Sequence, residues 1–161
     1  MTSPHLAVLK SSYEIAATLF KHGADVNAIY LKLSIAAKRG NVQLLKLLLE
    51  KCGDINVVTD SDYTPLQLAA QFGHYEIAKT LFCECNTGDK IKASHIATFN
   101  GYKRIVELSV KEGVNVNATC ASDKNVLELH FAALAGYTEI INFLIANGCD
   151  INVIGKYDDE D

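Results

Sequence analysis

Thr64-Pro-Leu-Gln-Leu-Ala-Ala-Gln-Phe-Gly73, running on through an amphipathic stretch to Leu81, sets the architecture of this chain because it returns. His130-Phe-Ala-Ala-Leu-Ala-Gly136, running on to Asn147-Gly-Cys-Asp-Ile-Asn152, is a second clear copy, and weaker ones bring the total to five. A unit of about two dozen residues cannot hide its own apolar face and must bury it on its neighbours. Laid under one another, the copies place Ser11, Gly40, Gly73, Gly101 and Gly136 at one turn, and Asn27, Asn56, Asp89, Asn117 and Asn152 at another.

Each copy reads as a helix, a tight turn and an antiparallel second helix. A short Ala-rich segment such as Ala36-Ala-Lys-Arg39 precedes Gly40, which ends it where a positive φ would strain any residue with a Cβ. A longer stretch follows with Leu44, Leu45, Leu47, Leu48 and Leu49 on its apolar side. Pro4 and Pro65 fall in first turns, where the missing N–H would have had no partner. Small Ala faces allow close approach, and stability comes from stacking, each copy touching only its neighbours.

The pattern resembles the ankyrin repeat. Thr64-Pro65-Leu66 with Gly73-His74, and Gly23-Ala24-Asp25-Val26-Asn27-Ala28, carry the resemblance best. It implies an all-α solenoid of stacked helix-turn-helix pairs with short β-hairpin fingers: one domain over residues 1–154, repeats at about 2–28, 31–57, 64–90, 92–118 and 127–153, and an acidic tail, 155–161.

Composition fits one elongated domain: 161 residues, 49% hydrophobic, net charge −4. No run of Lys or Arg is long enough to follow a phosphate backbone, so nucleic acid is not an expected partner. Apolar runs such as Ile140-Ile-Asn-Phe-Leu-Ile-Ala146 fall far short of a bilayer span, and Met1-Thr-Ser-Pro-His5 does not open a signal peptide. No membrane association is expected, and the cytoplasm, or else the nucleus, is the expected location.

The five cysteines, Cys52, Cys83, Cys85, Cys120 and Cys149, are odd in number and irregularly spaced, which argues against a disulfide framework. Cys83-Glu-Cys85 is half a zinc site if His74 or His95 joins it, but no second closely spaced pair supplies the rest, so no metal is expected. His5, His95 and His130 fall at the family's Thr-Pro-Leu-His position, where the resemblance implies an imidazole tied to neighbouring backbone. No phosphate loop, serine elbow or His-Glu metal helix is present, and polar residues recur along the stack instead of converging. The expectation is a protein without catalytic activity or cofactor.

The copies differ in their connections. Val58 to Tyr63 has room for a projecting finger and Asn117 to Leu127 for a longer one, whereas Asn27 to Leu31 and Asp89 to Lys92 are too short. The rim should therefore be notched. Thr-Pro is replaced by Leu31-Lys32, Lys92-Ala93 and Leu127-Glu128, which should weaken those helix starts by about 1 kcal/mol each for a lost cap. The irregular stretch Phe82–Lys90 is the expected weak link. The last long helix has no polar partner to close the stack. Its open end is consistent with a tolerated apolar face, a longer array, or docking of a partner or a second copy. A monomer is expected, with end-to-end self-association as the alternative.

By resemblance, partners lie on the concave face formed by finger tips and first helices. Carried over by alignment, its residues are Tyr30, Lys38, Arg39, Asp60, Ser61, Tyr63, Gln71, Phe72, Phe99, Asn100, Asn125, Leu134 and Ala135. Phe72 and Phe99 read as equivalent positions in adjacent repeats, hence side by side in the groove; folding over a neighbouring helix is the competing role. Lys103-Arg104 reads as a solvated outer face. The family's asparaginyl-hydroxylation pattern marks Asn27, Asn56 and Asn152 as candidate modification sites, each also readable as a turn residue bonding its own backbone. The functional expectation is a protein-binding scaffold, acting as an inhibitor or decoy, or else the recruitment module of a larger enzyme or effector.

Overall fold

The computed structural model describes residues 26–50, 63–119 and 127–153. Eight helices lie among them: α1 (Val26–Arg39), α2 (Val42–Leu49), α3 (Pro65–Gln71), α4 (Tyr75–Phe82), α5 (Thr87–Phe99), α6 (Lys103–Lys111), α7 (Glu128–Ala135) and α8 (Thr138–Ala146). No strand is present among the described residues, and the expected fingers, Val58 to Tyr63 and Asn117 to Leu127, fall largely outside them. The helices form two rows. The first helices α1, α3, α5 and α7 pack in order, and the second helices α2, α4, α6 and α8 pack in order behind them.

Every pair turns in the same way. Gly40, Gly73, Gly101 and Gly136 have φ between 72° and 76°. The N–H of the residue after each glycine reaches back to a carbonyl of the first helix: Asn41 to Ala36, His74 to Ala69, Tyr102 to Ala97 and Tyr137 to Ala132, all at 2.9 Å. This is the bond that satisfies a terminal carbonyl when a glycine adopts the left-handed conformation. Pro65 sits in the first turn of α3 as expected, and the Thr64 hydroxyl accepts from the Gln67 N–H at 3.3 Å.

The short connections are resolved by helix, not by a stunted loop. Asn27 was placed at a turn by the repeat alignment, but α1 already includes it. Asp89, likewise aligned to a turn, lies in the first turn of α5. The first helices of the second and fourth copies run 14 and 13 residues, against 7 and 8 in the third and fifth. The chain saved on the finger continues the helix, because a helix satisfies its backbone groups internally where a short loop would not. The cap expected to be missing from the fourth copy is supplied six residues earlier, where the Asn86 side chain accepts from the Asp89 N–H at 2.9 Å. In the fifth copy Leu127 has no side-chain oxygen to cap α7, and His130 Nδ1 accepts from the Leu127 N–H at 3.0 Å, the reciprocal half of a capping box.

Candidate interaction surface

The interior leaves little chemistry free. One continuous apolar core runs through the stack, from Leu33 and Leu45 through Leu66, Ile77 and Phe82 to Ile105, Leu127, Ile140 and Leu144. Polar groups buried within it are largely paired, across repeats or within one, although Asp89 Oδ2 has no partner among the described residues. Asp89 accepts from the Thr64 hydroxyl at 2.6 Å and from the Gln67 amide, joining the third copy to the fourth. Phe82–Lys90, the weak link expected from sequence, is thus anchored at both ends, by buried Phe82 and by Asp89. Ser109 donates to the Val106 carbonyl at 2.8 Å and lies 2.6 Å from the Ser94 hydroxyl, which binds α5 to α6.

Glu128, only 1% exposed, occupies the first turn of α7 where the better copy has Pro65. Burial raises its pKa from 4.5 to about 7, against hydrogen bonds from Ser94 and Thr98 that pull it down. The Thr98 hydroxyl donates to Oε2 at 3.2 Å, and His95 Nε2 stands 3.9 Å from Oε1. His95 also donates from Nε2 to the Ala118 carbonyl at 3.1 Å, and His130 does the same to Val153 at 3.0 Å. Both histidines therefore tie a first helix to backbone beside it, the role the resemblance implied, His130 from the first turn of α7 and His95 from well inside α5. His5 lies outside the described residues.

Among the described residues no three His, Cys, Asp or Glu side chains are grouped so as to hold a metal ion. Cys83 is exposed at the end of α4, while Cys85 and Cys149 are buried. Burial pushes both buried thiols upward, with the Asp89 carboxyl adding to the effect on Cys85. No helix among the described residues is long and apolar enough to cross a membrane.

The expected binding residues divide. Lys38, Arg39, Phe72, Phe99, Asn100, Leu134 and Ala135 are exposed on the first-helix row and its turns, while Gln71 and Tyr63 are half-buried, Tyr63 against the core. Asp60, Ser61, Asn125 and the Tyr30 side chain lie outside the described residues. Phe72, Phe99 and Leu134 are 40%, 58% and 76% exposed, and Ile35, which the sequence reading passed over, adds a further apolar side chain at 39%.

Phe72 and Phe99 are not equivalents. Phe72 is the residue before Gly73 and caps α3, whereas Phe99 stands two before Gly101 as the last residue of α5, with Asn100 in the capping place. The two rings accordingly have different companions. Phe72 stacks on His74 at 6.4 Å between centroids and has Lys38 Nζ 5.6 Å from its centre, while Phe99 meets Phe131 edge-on at 6.1 Å.

Two outer features also differ from the sequence reading. Lys103 pairs with Glu139 of the next copy at 3.0 Å, and the Arg104 guanidinium lies 4.1 Å from the centre of the Tyr75 ring in the preceding one. These side chains bridge repeats and are not merely solvated. At the tips, Asn115 and Asp150 accept from the N–H groups of Asn117 and Asn152, both at 2.9 Å. The tip asparagine itself reaches further: Asn117 donates to the Gly148 carbonyl at 3.0 Å and accepts from the Asp150 N–H at 2.8 Å. Of the candidate modification sites, Asn152 is an exposed turn residue, Asn27 lies in α1, and Asn56 falls outside the described residues.

The family model for ankyrin repeats, described as three copies, matches residues 32–93 and 81–154. The chain is 33% identical over 82 residues to the E3 ubiquitin-protein ligase XBAT33 of Arabidopsis thaliana, covering 47% of this chain and 16% of that one. It is 32% identical over 103 residues to ankyrin repeat and SOCS box protein 3 of Homo sapiens, 59% of this chain and 20% of that one. A putative ankyrin repeat protein of Fowlpox virus, FPV244, is 37% identical over 71 residues, 42% and 11% of the two chains. The match thus spans a fifth or less of each of these relatives. With the family model matching most of its length and the same glycine-turned helix pair returning through the stack, the chain belongs to the ankyrin-repeat family.

Proposed function

We propose that this chain is a protein-binding scaffold whose partner lies across the first-helix row, the concave face of the family's arrays, and that binding itself, as an inhibitor or decoy, is its function. Ankyrin repeats mediate protein–protein interaction and are in general non-catalytic. The observation that carries the reading is the distribution of exposed large apolar side chains among the described residues: Ile35, Phe72, Phe99 and Leu134 come from the first helices or their turns, and outside that row only Ile145 on α8 and Ile151 at the last tip are exposed. Aromatic side chains flanked by a cation are the types that most often anchor an interface, and Lys38 lies over Phe72. A second reading, the recruitment module of a larger enzyme or effector, is supported by the small share of its longer relatives that the chain spans, one of them named as a ubiquitin ligase. The cytoplasm, with the nucleus as alternative, is the proposed location.

The test is site-specific photo-crosslinking in the native cell, with the reactive residue at Phe99 or Leu134, compared with Gln43 or Lys79 on the second-helix row. The proposal expects one discrete adduct from the first pair and none from the second. Adducts from the second pair alone would contradict it.

A further inference from the structure

We propose that the outer face of the fifth copy is an unfilled repeat interface, shaped to receive one more helix pair of the same type, in line with the stack and carrying an aromatic ring directly after its turn glycine. The interior supplies the template. His74 lies over Gly40, Tyr102 over Gly73 and Tyr137 over Gly101, so close that a Cβ on each glycine would come within 2.6–2.8 Å of the ring. Gly136 has the same conformation, at φ 73°, and a Cβ there would meet nothing within 4 Å among the described residues.

Three further equivalences point the same way. Val116 is 6% exposed under the fifth copy, but its counterpart Ile151 is 64% exposed. Ala37, Ala70 and Thr98 are fully buried by the following first helix, but Ala133 at the same place is exposed. The Asn117 side chain bonds the Gly148 carbonyl and the Asp150 N–H of the next tip, whereas the Asn152 side chain has no such partner among the described residues. Among the described residues, ring slot, apolar tip, small-residue face and amide are thus all open on one end. They are the features that each interior repeat fills in its neighbour, so the occupant that satisfies all four together is another repeat, by continuity with the interfaces already formed.

The experiment joins a sixth helix pair, polar on its far side and with tyrosine after its turn glycine, directly after Asp161 of the full chain. The melting temperature should rise by about 5 °C or more, and amide exchange through Thr138–Ala146 should slow by about tenfold or more. Alanine in place of the added tyrosine should forfeit part of the gain. Ile151→Asp should leave the 161-residue chain's melting temperature unchanged and cancel most of the gain in the extended one. Absence of any rise would overturn the proposal. So would concentration-dependent dimers of the unextended chain that Ile151→Asp dissolves, since a second copy would then be the occupant. A lower melting temperature on deleting residues 154–161, with faster exchange in Thr138–Ala146, would overturn it as well, because the chain's own tail would cover the face.

Discussion

The Thr64 hydroxyl donates to Asp89 Oδ1 across 2.6 Å, so the cap of one first helix is tied to the first turn of the next. The Gln67 amide donates to the same oxygen. Because Asp89 is buried, removing it strands two donors away from water.

Asp89→Ala should therefore destabilise the protein by about 2–3 kcal/mol, and Asp89→Asn, which keeps an acceptor, by about half as much. Urea titrations of both variants would check this. A loss below about 0.5 kcal/mol for Asp89→Ala, the size of an ordinary surface change, would show that the bond is replaced by water.

Glu128 gives the stack a pH dependence. Its folded pKa, about 7, lies above the 4.5 of an exposed carboxyl, so the folded state holds the proton more tightly. The associated stability is fully present below pH 4.5 and is lost as pH rises through 7. The difference corresponds to about 3 kcal/mol as an upper bound. Glu128→Gln, neutral at all pH, should be more stable than the parent at pH 8 and should differ little from it at pH 5. Parallel slopes for the two proteins between pH 5 and pH 8 would refute the assignment.

The ring-over-glycine contacts can be separated from backbone strain by comparing two glycines of one conformation. Gly73→Ala meets the Tyr102 ring at 2.6 Å, whereas Gly136→Ala meets nothing, yet φ is 72° and 73°. Both should pay about 1 kcal/mol for the left-handed backbone. Gly73→Ala should cost about 1 kcal/mol more, because the ring must leave its place on the neighbouring copy. Equal melting temperatures for the two variants would mean that the ring moves aside freely.

The turn glycines and Pro65 in its first turn were legible in the sequence because each is fixed by local geometry that its residue type reports, whereas the tying histidines were legible only through the family resemblance, since their carbonyl partners lie 23 residues away. Asn27 and Asp89 were misplaced because the alignment forces a turn onto every copy, while the physics of a short connection favours extending the helix. Asn86 could have signalled this, standing as a capping residue three positions before a residue that proves to be buried. Phe72 and Phe99 were paired by similarity of side chain, although counting back from Gly73 and Gly101 puts them one place apart. The buried Asp89 and Glu128 networks could not be read at all, since their partners are 22–30 residues away and only the stacking brings them together.

The central claim is that a partner is held on the first-helix row by rings that the fold itself can spare. The most direct measurement is the affinity of the Phe72→Ala, Phe99→Ala double variant for the partner recovered by crosslinking, with the helical signal recorded alongside. The helical signal should be unchanged and binding should weaken by about 2 kcal/mol or more, the cost typical of truncated aromatic anchors. Undiminished affinity in a folded double variant would contradict it, and loss of the fold would show that the two rings serve the core.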